Sequence, residues 1–184
     1  MQKKNKRRSL LFTTPQLVVL ALLTALQVVL GNLLQVPLVG KQFSFGFLPV
    51  AAAGAMLGVP GGLIVGALGD FIGAHLFPAG AYFPGFTLTS ALVGVLYALP
   101  LHRRKPTVLR VVIAVVLATL VNLFLNSWWL SMLYGSKTYW GWVTARASAY
   151  LVEAPAQVFV MFLCLQALGR LRLPPSVQLW KEKV

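Results

Sequence analysis

Apolar residues dominate this chain in long blocks rather than in strict alternation, and the blocks are parted by short Pro-, Gly- or charge-bearing stretches. Blocks of 16 or more residues with helical spacing predict membrane-crossing helices. The first is predicted from about Pro15 to Val36, roughly 33 Å at 1.5 Å per residue and long enough to span. Pro37 and Gly40 end it, and a loop from Pro37 to Lys41 follows. The second, about Phe43 to Gly58, reaches only about 22 Å and is expected to tilt or to be lengthened by its loop. A third runs from Pro60 or Gly61 to about Phe77, with Pro60 in the favoured first turn. Pro84 to Leu101, Thr107 to Met132 and Trp142 to Leu168 complete an expected six spans.

Between Lys41 and Leu101 the apolar residues are crowded with Gly and Ala. Gly54-x3-Gly58 and Gly62-x3-Gly66 predict faces on which helix backbones approach closely, and Ala21-x3-Ala25 offers a similar face on the first helix. The same stretch carries one acid, Asp70, with no compensating base nearby in sequence. A carboxylate at membrane depth is costly and points to function.

Composition narrows the class. Of 184 residues, 58% are hydrophobic and only 10% charged, outside the range of soluble domains, so residues 1–184 are expected to form one integral-membrane domain. The net charge of +13 would suit nucleic acid, but its placement argues against that partner. Five bases precede the first block, four lie between Arg103 and Arg110, and four between Arg170 and Lys183. These thirteen share one side of a six-span topology; only Lys41, Lys137 and Arg146 fall at or near the other. The positive-inside rule then places residues 1–12 as a basic cytoplasmic N-terminus and residues 173–184 as a cytoplasmic tail. The first apolar block is too long for a signal peptide's core and reads as a retained helix. Cys164 has no internal disulfide partner and is expected to pack.

Two polar stripes stand out. Arg146, Tyr150, Glu153 and Gln157 recur at steps of four, three and four on the last helix; Asn122, Asn126 and Trp129 do so at four and three on the one before. With Asp70 they predict a polar pocket open to the outside. The structural alternative is that a base neutralises a carboxylate while the amides bond across helices. Tyr82, Phe83, Tyr134, Tyr139 and Trp140 in the outer loops would form an interfacial belt or the pocket's lid. No GxxxxGK[ST] sequence, His/Cys metal cluster or Ser–His–acid set is present. Binding and transport are favoured over catalysis.

Three segments carry a resemblance to a known family: FSFGFLPVAAAGAMLGVPGGLIVGALGDFIGAHLFPAGAYFPGFTL from Phe43, NSWWLSMLYG from Asn126, and RASAYLVEAPAQV from Arg146. In them the chain resembles the folate-specific substrate-binding S-components of energy-coupling factor (ECF) vitamin transporters, over the second to sixth helices. The resemblance implies an all-α membrane protein, a six-transmembrane-helix bundle with the vitamin pocket near its extracellular side. It implies a non-enzymatic binding subunit for folate or reduced folates, with no cofactor of its own. Its partners would be a coupling membrane protein and two ABC-type ATPases, which bind the ATP. Substrate contacts are expected from Lys41, Phe45, Asp70, Phe83, Pro84, Phe86, Thr87, Asn126, Trp129, Arg146, Tyr150 and Glu153, and partner coupling from Ala21 and Ala25. A base that the family pattern leads one to expect near Ala149 is absent, and Glu153 stands where the family more often has an uncharged residue.

Charge patterning agrees with such a ligand. A carboxylate such as Asp70 or Glu153 suits the amino-pyrimidine edge of a folate head, while the dicarboxylate tail needs cations near the mouth, where Lys41, Lys137 and Arg146 are expected. Another vitamin, a membrane-embedded enzyme and a purely structural subunit are the competing readings.

Overall fold

The computed structural model describes residues 12–38, 41–78, 80–135 and 137–171, together with 174, 177 and 178. The basic N-terminal segment (apart from Phe12) and most of the C-terminal tail therefore lie outside the described residues. The elements are α1 (Thr14–Asn32), β1 (Gln35–Leu38), β2 (Lys41–Ser44), α2 (Phe47–Leu76), α3 (Pro84–Leu101), α4 (Val108–Tyr134) and α5 (Tyr139–Gly169). All five helices are long and apolar enough to cross a membrane.

At the start of α1, the Gln16 side chain accepts from the Thr13 backbone N–H at 2.8 Å, one half of a capping box, and Pro15 sits in the first turn. The helix stops at Asn32 rather than at Val36. The chain instead forms an antiparallel ribbon, pairing Gln35 with Ser44, Val36 with Phe43 and Leu38 with Lys41. The cause is local. The residue before a proline is driven out of the helical region, and Pro37 tolerates a two-stranded ribbon better than a helix interior. The same ribbon moves the next helix start from Phe43 to Phe47.

The expected second and third helices are joined into one element. Only Gly58 departs from helical geometry within α2 (φ 75°, ψ −162°), a conformation for which glycine is suited, and no loop follows it before Pro60. Counted as continuous elements the described residues thus hold five long helices, not six. The two arms of α2 nevertheless lie against each other. A Cβ on Gly62 would come within 3.3 Å of the Gly54 Cα, so those Cα atoms are within about 5 Å, whereas eight residues of straight helix span about 12 Å.

Contacts with α3 show how the arms run. Gly54 and Gly58 on the first arm meet Ala98 and His102, whereas Gly62 and Gly66 on the second meet Gly94 and Ser90. Residue numbers rise together along the first arm and oppose along the second. The arms are therefore antiparallel, and the Ser90-x3-Gly94-x3-Ala98 stripe of α3 fits the groove between them. At the foot, the Arg103 N–H donates to the Ala55 carbonyl at 3.0 Å. The His102 ring closes on Gly58, where an added Cβ would stand 3.0 Å from its Cε1. Burial, with Arg103 acting the same way, lowers the pKa of His102.

α1 and α3 both pack on α2, α4 packs on α3, and α5 on α4. Val65, Tyr97, Leu101, Val111, Val115 and Met161 form the fully buried centre. Ala21 and Ala25, by contrast, are exposed on α1.

The tightest backbone contact is reciprocal. A Cβ on Gly62 would collide with the Gly94 carbonyl, and one on Gly94 with the Gly62 carbonyl. Neither neighbour is a side chain that can swing away. Gly62→Ala and Gly94→Ala should each destabilise the purified protein by about 1–3 kcal/mol, as overpacking does, whereas Ala21→Val should stay within about 0.5 kcal/mol. Thermal unfolding in one detergent checks this. Equal midpoints for all three variants would contradict the backbone contact.

Candidate binding site

A cavity of about 480 Å³ opens at the end of the bundle opposite Gly58, within the size range of small-molecule sites. The last turns of α1 contribute Gln27 and Asn32, and the start of α2 gives Phe47 and Val50. The second arm of α2 brings Asp70 and Ala74, and the connection after it Tyr82 and Phe83. Phe86, Ser90 and Tyr97 come from α3, Thr119, Asn122 and Tyr134 from α4, and Tyr150, Glu153 and Gln157 from α5.

Asp70 is partly buried, and its Oδ2 accepts from the Thr87 hydroxyl at 2.7 Å. The Thr87 oxygen lies 3.2 Å from the Tyr82 hydroxyl. Tyr82 in turn packs on His75 and Phe71, with ring centroids 4.7 and 5.9 Å away. The intramembrane carboxylate is thereby tied to the connection that forms the cavity's edge. Across the cavity, Gln157 Nε2 donates to Glu153 Oε1 at 3.0 Å, and the Glu153 side chain is buried. Both expected carboxylates thus face one space, walled by Phe47, Phe83, Phe86 and Tyr150.

The α5 stripe divides. Tyr150, Glu153 and Gln157 line the cavity, whereas Arg146 does not. Arg146 is only 8% exposed, donates through Nη2 to the Tyr150 hydroxyl at 3.1 Å, and sits over that ring at 5.7 Å. Rather than standing at the mouth, it backs an aromatic wall residue.

The α4 stripe divides too. Asn122 reaches the cavity, while Asn126 donates sideways to Asn122 Oδ1 at 3.1 Å. Trp129 donates to the Thr89 hydroxyl at 3.0 Å and packs against Phe83 with tilted rings 5.5 Å apart, so it supports the wall from behind. Phe45 packs with Phe43 and Phe47 outside the lining, at 5.1 and 6.5 Å. Pro84 is exposed at the first turn of α3. The side chain of Lys41 lies outside the described residues. Lys137 is exposed, with its ammonium 5.2 Å from the Trp142 ring centroid.

Several lining residues were missed. Gln27 and Asn32 interrupt an apolar helix singly, too far apart for the stripe test, and Ser90 was hidden within the small-residue face. Tyr97 and Thr119 carried no signal beyond being polar within apolar runs.

Five long apolar helices around a cavity lined by two carboxylates describe a membrane-embedded binding protein. The family model for the substrate-specific component of ECF transporters matches residues 15–165, and the chain belongs to that family. It is 34% identical over 162 residues to the folate transporter FolT of Clostridium novyi (strain NT), covering 88% of this chain and 94% of that protein. The FolT of Leuconostoc mesenteroides subsp. mesenteroides is 34% identical over 161 residues, covering 83% and 85% respectively. Among solved structures, a crystal structure of FolT bound with folic acid superposes with a TM-score of 0.77 at 30% identity, covering 86% of this chain and 97% of that one.

Proposed function

We propose that this chain is the membrane subunit that binds folate or a reduced folate from outside the cell and delivers it across the membrane with an ECF module. The observation that carries the reading is the cavity that gathers Asp70 and Glu153 among aromatic walls in a chain of this family. A carboxylate can accept from the amino group and the adjacent ring N–H of an amino-pyrimidine at once, in the paired geometry that gives strong, directional hydrogen bonds. Phe83, Phe86 and Tyr150 supply flat surfaces for a bicyclic head. The cationic tail contacts expected of Lys41, Lys137 and Arg146 reduce, for Arg146, to an indirect one through Tyr150.

The arms of α2 are antiparallel, so each counts as one crossing and the bundle has six spans. The first arm, residues 47–57, is only about 16 Å long. The β1–β2 ribbon above it supplies the remaining depth, which is tolerable because its backbone groups pair with each other and it adjoins the cavity. Six spans return both termini to one side, and the thirteen-to-three split of bases makes that side cytoplasmic. The partners are a coupling membrane protein and two ABC-type ATPases, which hold the ATP. Ala21 and Ala25, exposed on α1, form the flat face on which a partner helix docks.

Three measurements test this. In equilibrium binding to the purified chain, folate should saturate one site that excess thiamine or riboflavin does not occupy; preferential binding of either competitor would replace the ligand assigned. In intact cells, a cysteine at Thr138 should react with an impermeant thiol reagent and one at Lys105 should not; the opposite pattern reverses the orientation. Replacing Ala21 and Ala25 together with Trp should abolish uptake while folate binding persists, and wild-type uptake by that variant would remove the coupling role.

A further inference from the structure

The polar side chains that the helices carry inward mostly find partners within the chain. Asn32 Nδ2 donates to the Val28 carbonyl at 2.8 Å, Asn122 Nδ2 to the Ala118 carbonyl at 3.0 Å, and Gln157 Nε2 to Glu153. Gln27 is different. It is only 9% exposed, lies in the cavity wall, and its Oε1 is enclosed with no hydrogen-bond partner among the described residues. An enclosed amide oxygen left unmatched at membrane depth is costly.

The backbone beside it is shaped to admit this amide. A Cβ on Gly69 would collide with Gln27 Oε1 and Cδ, and one on Gly73 would collide with Asn32 Nδ2. Gly69, just before Asp70, and Gly73, about one turn after it, thus open a notch in α2 into which two amides of α1 settle. For the second amide, Val28 explains the fit. For Gln27 nothing among the described residues does, although it stands next to the residue that precedes Asp70 and shares the cavity with that carboxylate.

We infer that Gln27 is a ligand-reading residue whose carboxamide hydrogen-bonds the ring nitrogens of the bicyclic head beside Asp70, and that it lets one site take both oxidised and reduced heads. The inference rests on the folate-class reading above. A carboxamide carries a donor and an acceptor that exchange places when the group turns over. In an oxidised pteridine the pyrazine-ring nitrogens are acceptors; in the tetrahydro form they include N–H donors. Glutamine serves either by turning over, an ionised carboxylate serves only the donors, and an alkyl chain serves neither.

The test uses full-length protein purified in detergent, titrated at equilibrium with folate and with a stable tetrahydrofolate, and melted without ligand. Gln27→Leu should lose about tenfold or more affinity for both ligands, the scale of one unmade hydrogen bond in a closed site. Its unliganded thermal midpoint should be no lower than the wild-type value, because the Gln27 side chain makes no hydrogen bond among the described residues. Gln27→Glu should shift the affinity ratio about tenfold or more toward the reduced ligand. Wild-type affinities in Gln27→Leu, or losses matched by a fall in its unliganded midpoint, would make Gln27 a packing residue. An unchanged ratio in Gln27→Glu would overturn the tolerance of both oxidation states. A wild-type protein that binds neither ligand overturns the folate-class reading, and this inference with it.

Discussion

The structure depends on backbone meeting backbone at Gly62 and Gly94. Within a bilayer, lipid tails are as apolar as the side chains they would replace, so helices are held by close van der Waals contact rather than by escape from water. Here that contact is drawn tight along one line. The Ser90, Gly94 and Ala98 stripe of α3 lies between the two arms of α2, and Gly58 makes the return of the second arm possible. This three-part unit holds most of the fully buried small residues. α1 packs on one side of it and α4, followed by α5, on the other.

A tight foot permits an open head. The arms and α3 converge at Gly58, His102 and Arg103. At the opposite end the chain is irregular, with the β1–β2 ribbon and the connection bearing Tyr82 and Phe83. Non-helical backbone at such depth is stable only where it pairs internally or lines a cavity, and here it does both. The cavity therefore has rigid helical walls below and shorter elements around its mouth. Asp70 joins the two regions through Thr87 and Tyr82. A ligand that engages Asp70 would engage the mouth with it.

Much of this was legible in the sequence, in proportion to how directly each feature follows from composition or spacing. The membrane class, four of the six helix placements to within a few residues and the break at Gly58 were read from apolar blocks, Pro and Gly. The ribbon was not. A helical period continued through Leu33 and Leu34, and the β signal, Val36 before Pro37 and the alternation of Phe43 and Phe45, was short and competed with a stronger neighbour. The site was legible by face but not by partner. Spacing put Asn126 and Trp129 on a stripe with Asn122, yet they bond to Asn122 and Thr89 instead of lining the cavity. Arg146 shares a stripe with Tyr150 and Glu153, but its long side chain folds back onto Tyr150. Gln27 escaped because it and Asn32, five residues apart in an apolar helix, form no stripe. Only the notch opposite it, at Gly69, shows where its amide settles.

The central claim is that Asp70 is held at membrane depth for a ligand rather than for the fold. Calorimetric titration of folate into the wild-type protein and Asp70→Asn, with thermal unfolding of both in the absence of ligand, tests it most directly. The asparagine keeps an acceptor for the Thr87 hydroxyl but removes the charge. The account predicts an unliganded midpoint that is unchanged or raised, since a desolvated charge has been removed. It also predicts a loss of folate affinity of about 1.5–3 kcal/mol, roughly ten- to a hundredfold, the scale of a charge-assisted hydrogen bond. Wild-type folate affinity in Asp70→Asn, or a fall in its unliganded midpoint large enough to account for the lost binding, would contradict it.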